Sequence, residues 1–310
     1  MKTSISEDLK SDLPASKWGK TLGATPVVLT VIATMLAGLS SSEMTRAQYD
    51  RSYAAQMQSK AGDQWSFFQA KKLRSAQQQT TLDVIVSTAG RRTLERDALL
   101  RVLAGTPAEK KLDSPAGADA VTALTTGNLP MSAASPEPPV TVRAALSALE
   151  AARPESEIAF LLEPITDDVL DAAMRDARDH VLGIDAVLKP VGQVIDAMEQ
   201  GANRPDADAA LRRDLITARL HFNGRRYDAE ARSNQVIASL YELQVRRGNI
   251  AAERHHRRSQ KLFYGMLVAQ VGVIVSTLAI AARQRNLLWA LASLAGAVAI
   301  TFAAYVYLYV

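Results

Sequence analysis

The chain has 310 residues, 48% hydrophobic, 22% charged and 5% aromatic, with a formal net charge of +4. The absence of cysteine excludes disulfides, thiolate metal sites, iron–sulfur clusters and cysteine nucleophiles. A mean hydropathy of -0.03 is that of a soluble protein, but the apolar residues crowd into 23–41, 262–282 and 287–310 and leave the remainder polar.

In chain order, residues 1–22 form a polar N-terminal tail. The segment 23–41, GATPVVLTVIATMLAGLSS, carries no charge. It is long enough to cross about 30 Å of hydrocarbon at about 1.5 Å per residue, and it predicts transmembrane helix 1. Pro26 falls in a first turn, where its missing N–H costs nothing. A cleaved signal peptide is the competing reading. The small-x-small cleavage site it needs after Leu39 is not evident.

Residues 42–104 predict one long helix over 42–88, uninterrupted by proline, and a short helix over 91–104 that ends at Gly105. Residues 105–140 hold Pro107, Pro115, Pro130, Pro136, Pro138 and Pro139 among small residues. They predict a linker too poor in large apolar side chains to offset the entropy of ordering. Residues 141–261 predict a helical domain. Its helices are expected at 141–152, at 166–181 after a Thr166-Asp167-Asp168 start, at 184–200 with a kink or break at Pro190, and over 206–261 with Gly224 and Gly248 as candidate breaks. In that last stretch Leu215, Phe222, Ala229, Val236, Leu243 and Ile250 recur every seven residues. Such a stripe predicts lengthwise packing on another helix, an intramolecular hairpin with 42–88 or a mixed bundle.

Segments 262–282 and 287–310 predict transmembrane helices 2 and 3, joined by Arg283-Gln284-Arg285-Asn286 as an antiparallel hairpin. Trp18, Phe263, Tyr264, Trp289, Tyr305, Tyr307 and Tyr309 flank these segments, where amphipathic rings favour the headgroup level. Lys10, Lys17, Lys20, Arg283 and Arg285 fall on one side of the membrane. The cations on the other side belong to a long loop, which translocates with less regard to charge. The expected orientation therefore has a cytoplasmic N-terminus and an extracytoplasmic middle domain.

No phosphate loop, dinucleotide fingerprint or nucleophile elbow occurs. His180, His221, His255 and His256 lack metal-ligand spacing, and no basic groove with stacking aromatics points to nucleic acid. No catalytic, cofactor or metal residues are therefore assigned. The densest charge is Arg254, Arg257, Arg258 and Lys261, beside a predicted span. There each cation contributes about 1 kcal/mol toward anionic headgroups, so the lipid bilayer is an expected partner.

The stretch Asp63-Gln64-Trp65-Ser66-Phe67-Phe68-Gln69-Ala70-Lys71 resembles the signature of an uncharacterised bacterial membrane-protein family, a domain of unknown function. Asp63, Gln64, Trp65, Gln69, Ala70 and Lys71 match that pattern in order, and Phe67 and Phe68 stand where tyrosines are usual. The resemblance implies an architecture of one span, a helical region and a two-span hairpin in a bacterial inner membrane; it implies no activity. On the residues themselves, Ala61, Trp65 and Phe68 share one helix face, while Asp63, Gln64 and Lys71 lie elsewhere around the helix. Two readings stay open for Asp63, Gln64, Trp65, Phe68, Gln69 and Lys71: a packing set that locks a helix hairpin, or a partner-binding face.

The expected fold is an all-α integral membrane protein with three transmembrane helices and an extramembrane long-helix hairpin or bundle. The expected function is a non-enzymatic scaffold or interaction module that associates with itself or with another membrane protein. The alternative is a subunit of an oligomeric channel or transporter.

Overall fold

The computed structural model describes residues 17–90, 93–106, 108–130, 137–204, 208–281 and 285–309. Among the described residues every element is a helix: α1 (Lys17–Ala89), α2 (Arg96–Leu103), α3 (Glu109–Leu112), α4 (Pro115–Thr126), α5 (Val140–Glu150), α6 (Glu155–Leu162), α7 (Asp167–Ala202), α8 (Ala209–Ala281) and α9 (Arg285–Tyr309). Helices α1, α8 and α9 each contain a stretch long and apolar enough to cross a membrane. Most of the predicted tail and part of the predicted 283–286 turn lie outside the described residues.

The chain divides into two compact units, one of Met1–Ala54 with Arg247–Val310 and one of Ala55–Arg246. Helices α1 and α8, of 73 residues each, contribute to both. The predicted boundaries at 41/42 and 261/262 are therefore changes of composition inside continuous helices. Hydrogen bonding along a helix axis is indifferent to whether the side chains are apolar or charged.

In the first unit, the apolar parts of α1, α8 and α9 form a three-helix cluster around Ala33, Leu36, Leu262, Ala269, Ala299 and Val306. Small residues allow the close approach. A Cβ on Gly272 would lie 3.2 Å from the Ala295 Cβ and 3.2 Å from Leu29, and one on Gly265 would lie 3.6 Å from Phe302. As residue numbers fall on α8 they rise on α9, so the two helices are antiparallel.

The second unit centres on Leu99, Leu103, Val121, Leu188, Ile195, Met198, Leu215 and Phe222, contributed by α2, α4, α7 and α8. Here the predicted linker at 105–140 is corrected. Ser114 caps α4 by accepting from the Gly117 amide at 3.1 Å, Pro115 occupies the first turn, and Gly127 ends the helix in the left-handed conformation. Ala120, Val121, Ala123 and Leu124 are buried. The small side chains that suggested disorder are what lets α4 lie close to its neighbours, and tertiary burial offsets the ordering entropy that the segment alone could not.

Pro190 is likewise no break. It lies inside the continuous helix α7, between buried Leu188 and Val191. One lost backbone hydrogen bond is outweighed where Val194, Ile195 and Met198 continue the same buried face. Helix α6 was not expected. Gly224 and Gly248 also leave α8 unbroken and sit at contacts with α1. A Cβ on Gly224 would lie 3.6 Å from the Gln78 Cβ, and one on Gly248 would lie 3.1 Å from the Ala54 Cβ. The expected seven-residue stripe is kept in part: Leu215, Phe222 and Leu243 are buried, and Ala229 and Ile250 are half-buried. Val236 is 39% exposed, and Leu215 and Phe222 belong to the core shared with α2, α4 and α7. The residues that lie deep beside it are small: Gly224, Ala231 and Ala238 recur seven apart and are buried.

Candidate functional site

Two places gather polar chemistry. The first lies in the second unit, where α1 and α8 run antiparallel. Ala61 is buried, and Gln64, Trp65, Phe68, Lys71, Ser75 and Gln78 are half-buried at alternating three- and four-residue steps. That spacing keeps a straight row against a partner helix. Trp65 donates its indole N–H to Glu242 Oε1 at 2.6 Å and meets Phe68 edge-to-face at 5.4 Å. Ser75 donates to the Gly224 carbonyl at 2.9 Å.

Charge in this row is paired. The Lys71 ammonium bonds Glu230, whose other oxygen accepts from Arg226 Nε at 2.7 Å. Glu230 is buried, so both cations are needed to offset the cost of keeping its charge out of water. The buried Gly192 of α7 leaves room for this arrangement: a Cβ there would lie 3.0 Å from the Arg226 guanidinium. Lys72 and Arg232 hold Asp228. The Lys72 hydrogen bond, opposed by burial and reinforced by Arg232, keeps this carboxyl below its ordinary range. Lys60 at 5.9 Å and Arg178 at 5.6 Å both lie near the Tyr241 ring centroid, an arrangement favoured by the negative face of the ring.

The expected distribution of the motif around the helix is thus corrected. Gln64 and Lys71 share the row with Ala61 and Phe68, and Asp63 and Gln69 are exposed. Gln64 Oε1 is buried with no hydrogen-bond donor among the described residues.

A family model described as a domain of unknown function (DUF4337) matches residues 18–105. This segment is similar to an uncharacterised family. The match takes in the apolar part of α1, the Trp65 row and α2. No curated protein and no solved structure matches the chain.

The second polar place lies in the first unit, beside the DUF4337-like helix α1 where its apolar stretch ends. Ser40 and Ser259 are buried against each other. One turn on, His255 Nδ1 lies 2.6 Å from Glu43 and Nε2 lies 3.8 Å from Asp50. The four cations expected to act together do not behave alike. Arg257 is bonded to Glu253 at 2.9 Å. That hydrogen bond is the main reason the Glu253 carboxyl stays below its ordinary range. Lys261 lies 5.7 Å from the Tyr305 ring centroid. Arg254 and Arg258 form no hydrogen bond or ion pair among the described residues, and Arg258 Nε is buried.

The remaining histidines are dispersed. His180 lines a hollow of about 30 Å³ with Asp176, Ser233 and Val236, room for about one water. His221 lies over Gly127. Among the described residues no three His, Asp or Glu side chains are placed to hold a metal ion.

Proposed function

We propose that this chain is a three-span membrane protein of the bacterial inner membrane whose helical second unit is a non-enzymatic scaffold or interaction module. The observation that carries the membrane part is an inverted pattern in the first unit. Val28, Met35, Val271, Leu278, Leu294 and Val298 are exposed, while Ala33, Ala269, Gly272 and Ala299 lie between the helices. Large apolar side chains on the outside and small ones inside suit hydrocarbon as the surrounding solvent, because helix association there relies on close packing.

The scaffold part rests on how the second unit uses its polar residues. Trp65, Lys71, Glu230 and Glu242 are engaged with one another across α1 and α8. Groups held this way give a rigid helical surface. Asp63, Phe67 and Gln69 are exposed on that surface and are the candidates for contact with a second copy or another membrane protein. The proposed orientation keeps the N-terminus in the cytoplasm and the second unit outside it.

Two measurements test the proposal. Because the chain has no cysteine, a Lys110→Cys variant reports accessibility without background. Labelling by an impermeant maleimide in spheroplasts is expected, and labelling only after lysis overturns the orientation. Alkaline extraction should leave the chain in the membrane pellet, and detergent extracts should contain a self-associated or partnered species. A monomer without partner sinks the scaffold reading, and ion or solute flux in reconstituted vesicles replaces it with a channel or transporter subunit.

A further inference from the structure

The face of α8 that packs on α9 does not end where its glycines end. Gly265 and Gly272 form that contact, seven residues apart. Seven residues before Gly265 the same face carries Arg258, with Arg254 one turn further and Lys261 one turn nearer. Spacings of three and four put these cations on one side of the helix. The antiparallel register brings Arg258 level with the end of α9, where Tyr305 stacks on Tyr309 at 5.6 Å and Lys261 lies over Tyr305.

Three observations give this place the character of a binding site. Arg258 Nε is shielded from solvent and finds no acceptor among the described residues. A buried guanidinium N–H without a partner is costly, and a ligand oxygen would satisfy it. Arg254 is exposed and unpaired among the described residues. The carboxylates that contact neighbouring residues of α8 are committed elsewhere: Glu253 holds Arg257, and Glu43 and Asp50 face His255. The site is therefore cationic, with one hydrogen-bond donor already desolvated.

We infer that Arg254, Arg258 and Lys261 form a binding site for a phosphate oxyanion, and specifically for the headgroup of an anionic phospholipid. Two guanidinium groups and an ammonium match the acceptor-rich, negatively charged phosphodiester. The lipid is favoured over free phosphate by the surroundings. Exposed Phe263 and Tyr264 follow the cations along α8 into the apolar stretch, offering ring surface to the glycerol and upper acyl region. The inference rests on the membrane placement proposed above.

The test uses the full chain in non-ionic detergent, with bound lipid read by native mass spectrometry. Phosphatidylglycerol, phosphatidylcholine and inorganic phosphate are the probes. Wild type is expected to retain phosphatidylglycerol in preference to phosphatidylcholine, with inorganic phosphate at equal phosphate concentration failing to displace it. An Arg254→Gln/Arg258→Gln variant should retain it roughly thirtyfold less well, from about 1 kcal/mol per cation. Arg257→Gln should behave as wild type, and Arg258→Lys should keep more retention than Arg258→Gln; helicity by circular dichroism shows that the variants fold. Equal retention of the two lipids, or an equal loss in Arg257→Gln, overturns the site. Displacement by inorganic phosphate overturns the lipid assignment and leaves a free-phosphate site. Lipid preference in a chain released by alkaline extraction sinks the membrane placement alone; firm membrane residence without lipid preference sinks this inference alone.

Discussion

Ser40 and Ser259, 219 residues apart in sequence, donate their hydroxyls to each other's backbone carbonyls at 2.9 and 2.8 Å. The exchange needs α1 and α8 to approach closely, and both side chains are buried. Replacing one serine by alanine should cost about 1 kcal/mol, and the two losses should nearly add, because each hydroxyl donates to a backbone carbonyl that survives the other substitution. Ser40→Leu should cost about 2 kcal/mol or more through overpacking. Denaturation in detergent read by circular dichroism gives the ranking; equal cost for alanine and leucine would mean the helices are not held this close.

Glu230 joins α1 to α8 by holding Lys71 and Arg226 together. Glu230→Gln leaves two cations facing a neutral amide at a buried position, and a loss of about 3–5 kcal/mol is expected. Lys71→Met should cost less, since Arg226 remains to pair the carboxylate. Urea unfolding of the two variants decides the order, and the reverse order refutes the arrangement.

Gly127 ends α4 at φ 73°, with the His221 ring 2.7 Å from where a Cβ would stand, and its carbonyl accepts from Arg225 at 2.6 Å. Gly127→Ala combines a left-handed alanine with a steric clash. A loss of about 1–3 kcal/mol follows, partly recovered by His221→Ala in the same chain. Thermal unfolding of the double variant checks the recovery, which is absent if the ring lies elsewhere.

Trp65 is anchored at both ends, by Glu242 at the indole N–H and by Phe68 at the ring. Trp65→Phe keeps most of the packing and leaves Glu242 without its donor, costing about 1–2 kcal/mol. Trp65→Ala should cost about 3–5 kcal/mol and lower membrane accumulation of the chain. Normal accumulation of Trp65→Ala together with loss of a co-purifying protein would make Trp65 a partner-binding residue instead.

The folded Asp228 carboxyl titrates below its ordinary value of 3.8, chiefly through Lys72. A lowered folded pKa means the stabilisation is fully present above the unfolded value and is lost as pH falls through the folded one. The contribution of this partly exposed group is below about 1 kcal/mol. Asp228→Asn should therefore be slightly less stable than wild type at pH 7, with a smaller gap at pH 3. Chemical unfolding at both values measures the difference, and a gap undiminished in acid contradicts the assignment.

Legibility in the sequence differed from feature to feature for physical reasons. The apolar stretches at 23–41, 262–282 and 287–310 were evident because hydropathy is a local property. The seven-residue period of α8 was evident too, but Leu215 and Phe222 mark the core shared with α2, α4 and α7 rather than the close contact with α1. Large side chains mark a core, whereas the close contact is made by Gly224 and Gly248, which carry none. The order of 105–130 was hidden because Ser114, Pro115 and Gly127 are helix punctuation and linker residues alike. Which reading holds depends on whether a neighbour such as His221 or Leu188 covers the segment.

The sequence by itself determined the helical class, the three membrane-length apolar stretches and the residues at which charge collects beside them. These follow from side-chain chemistry read over a few turns of chain. Only the tertiary structure decided that Arg257 is taken by Glu253 while Arg254 and Arg258 have no partner among the described residues, that Lys71 belongs to Glu230, and that Trp65 is held by Glu242. Such assignments turn on distances of a few ångströms between atoms 150 or more residues apart on α1 and α8, or on the side of a helix to which a cation turns, and neither is written in local composition.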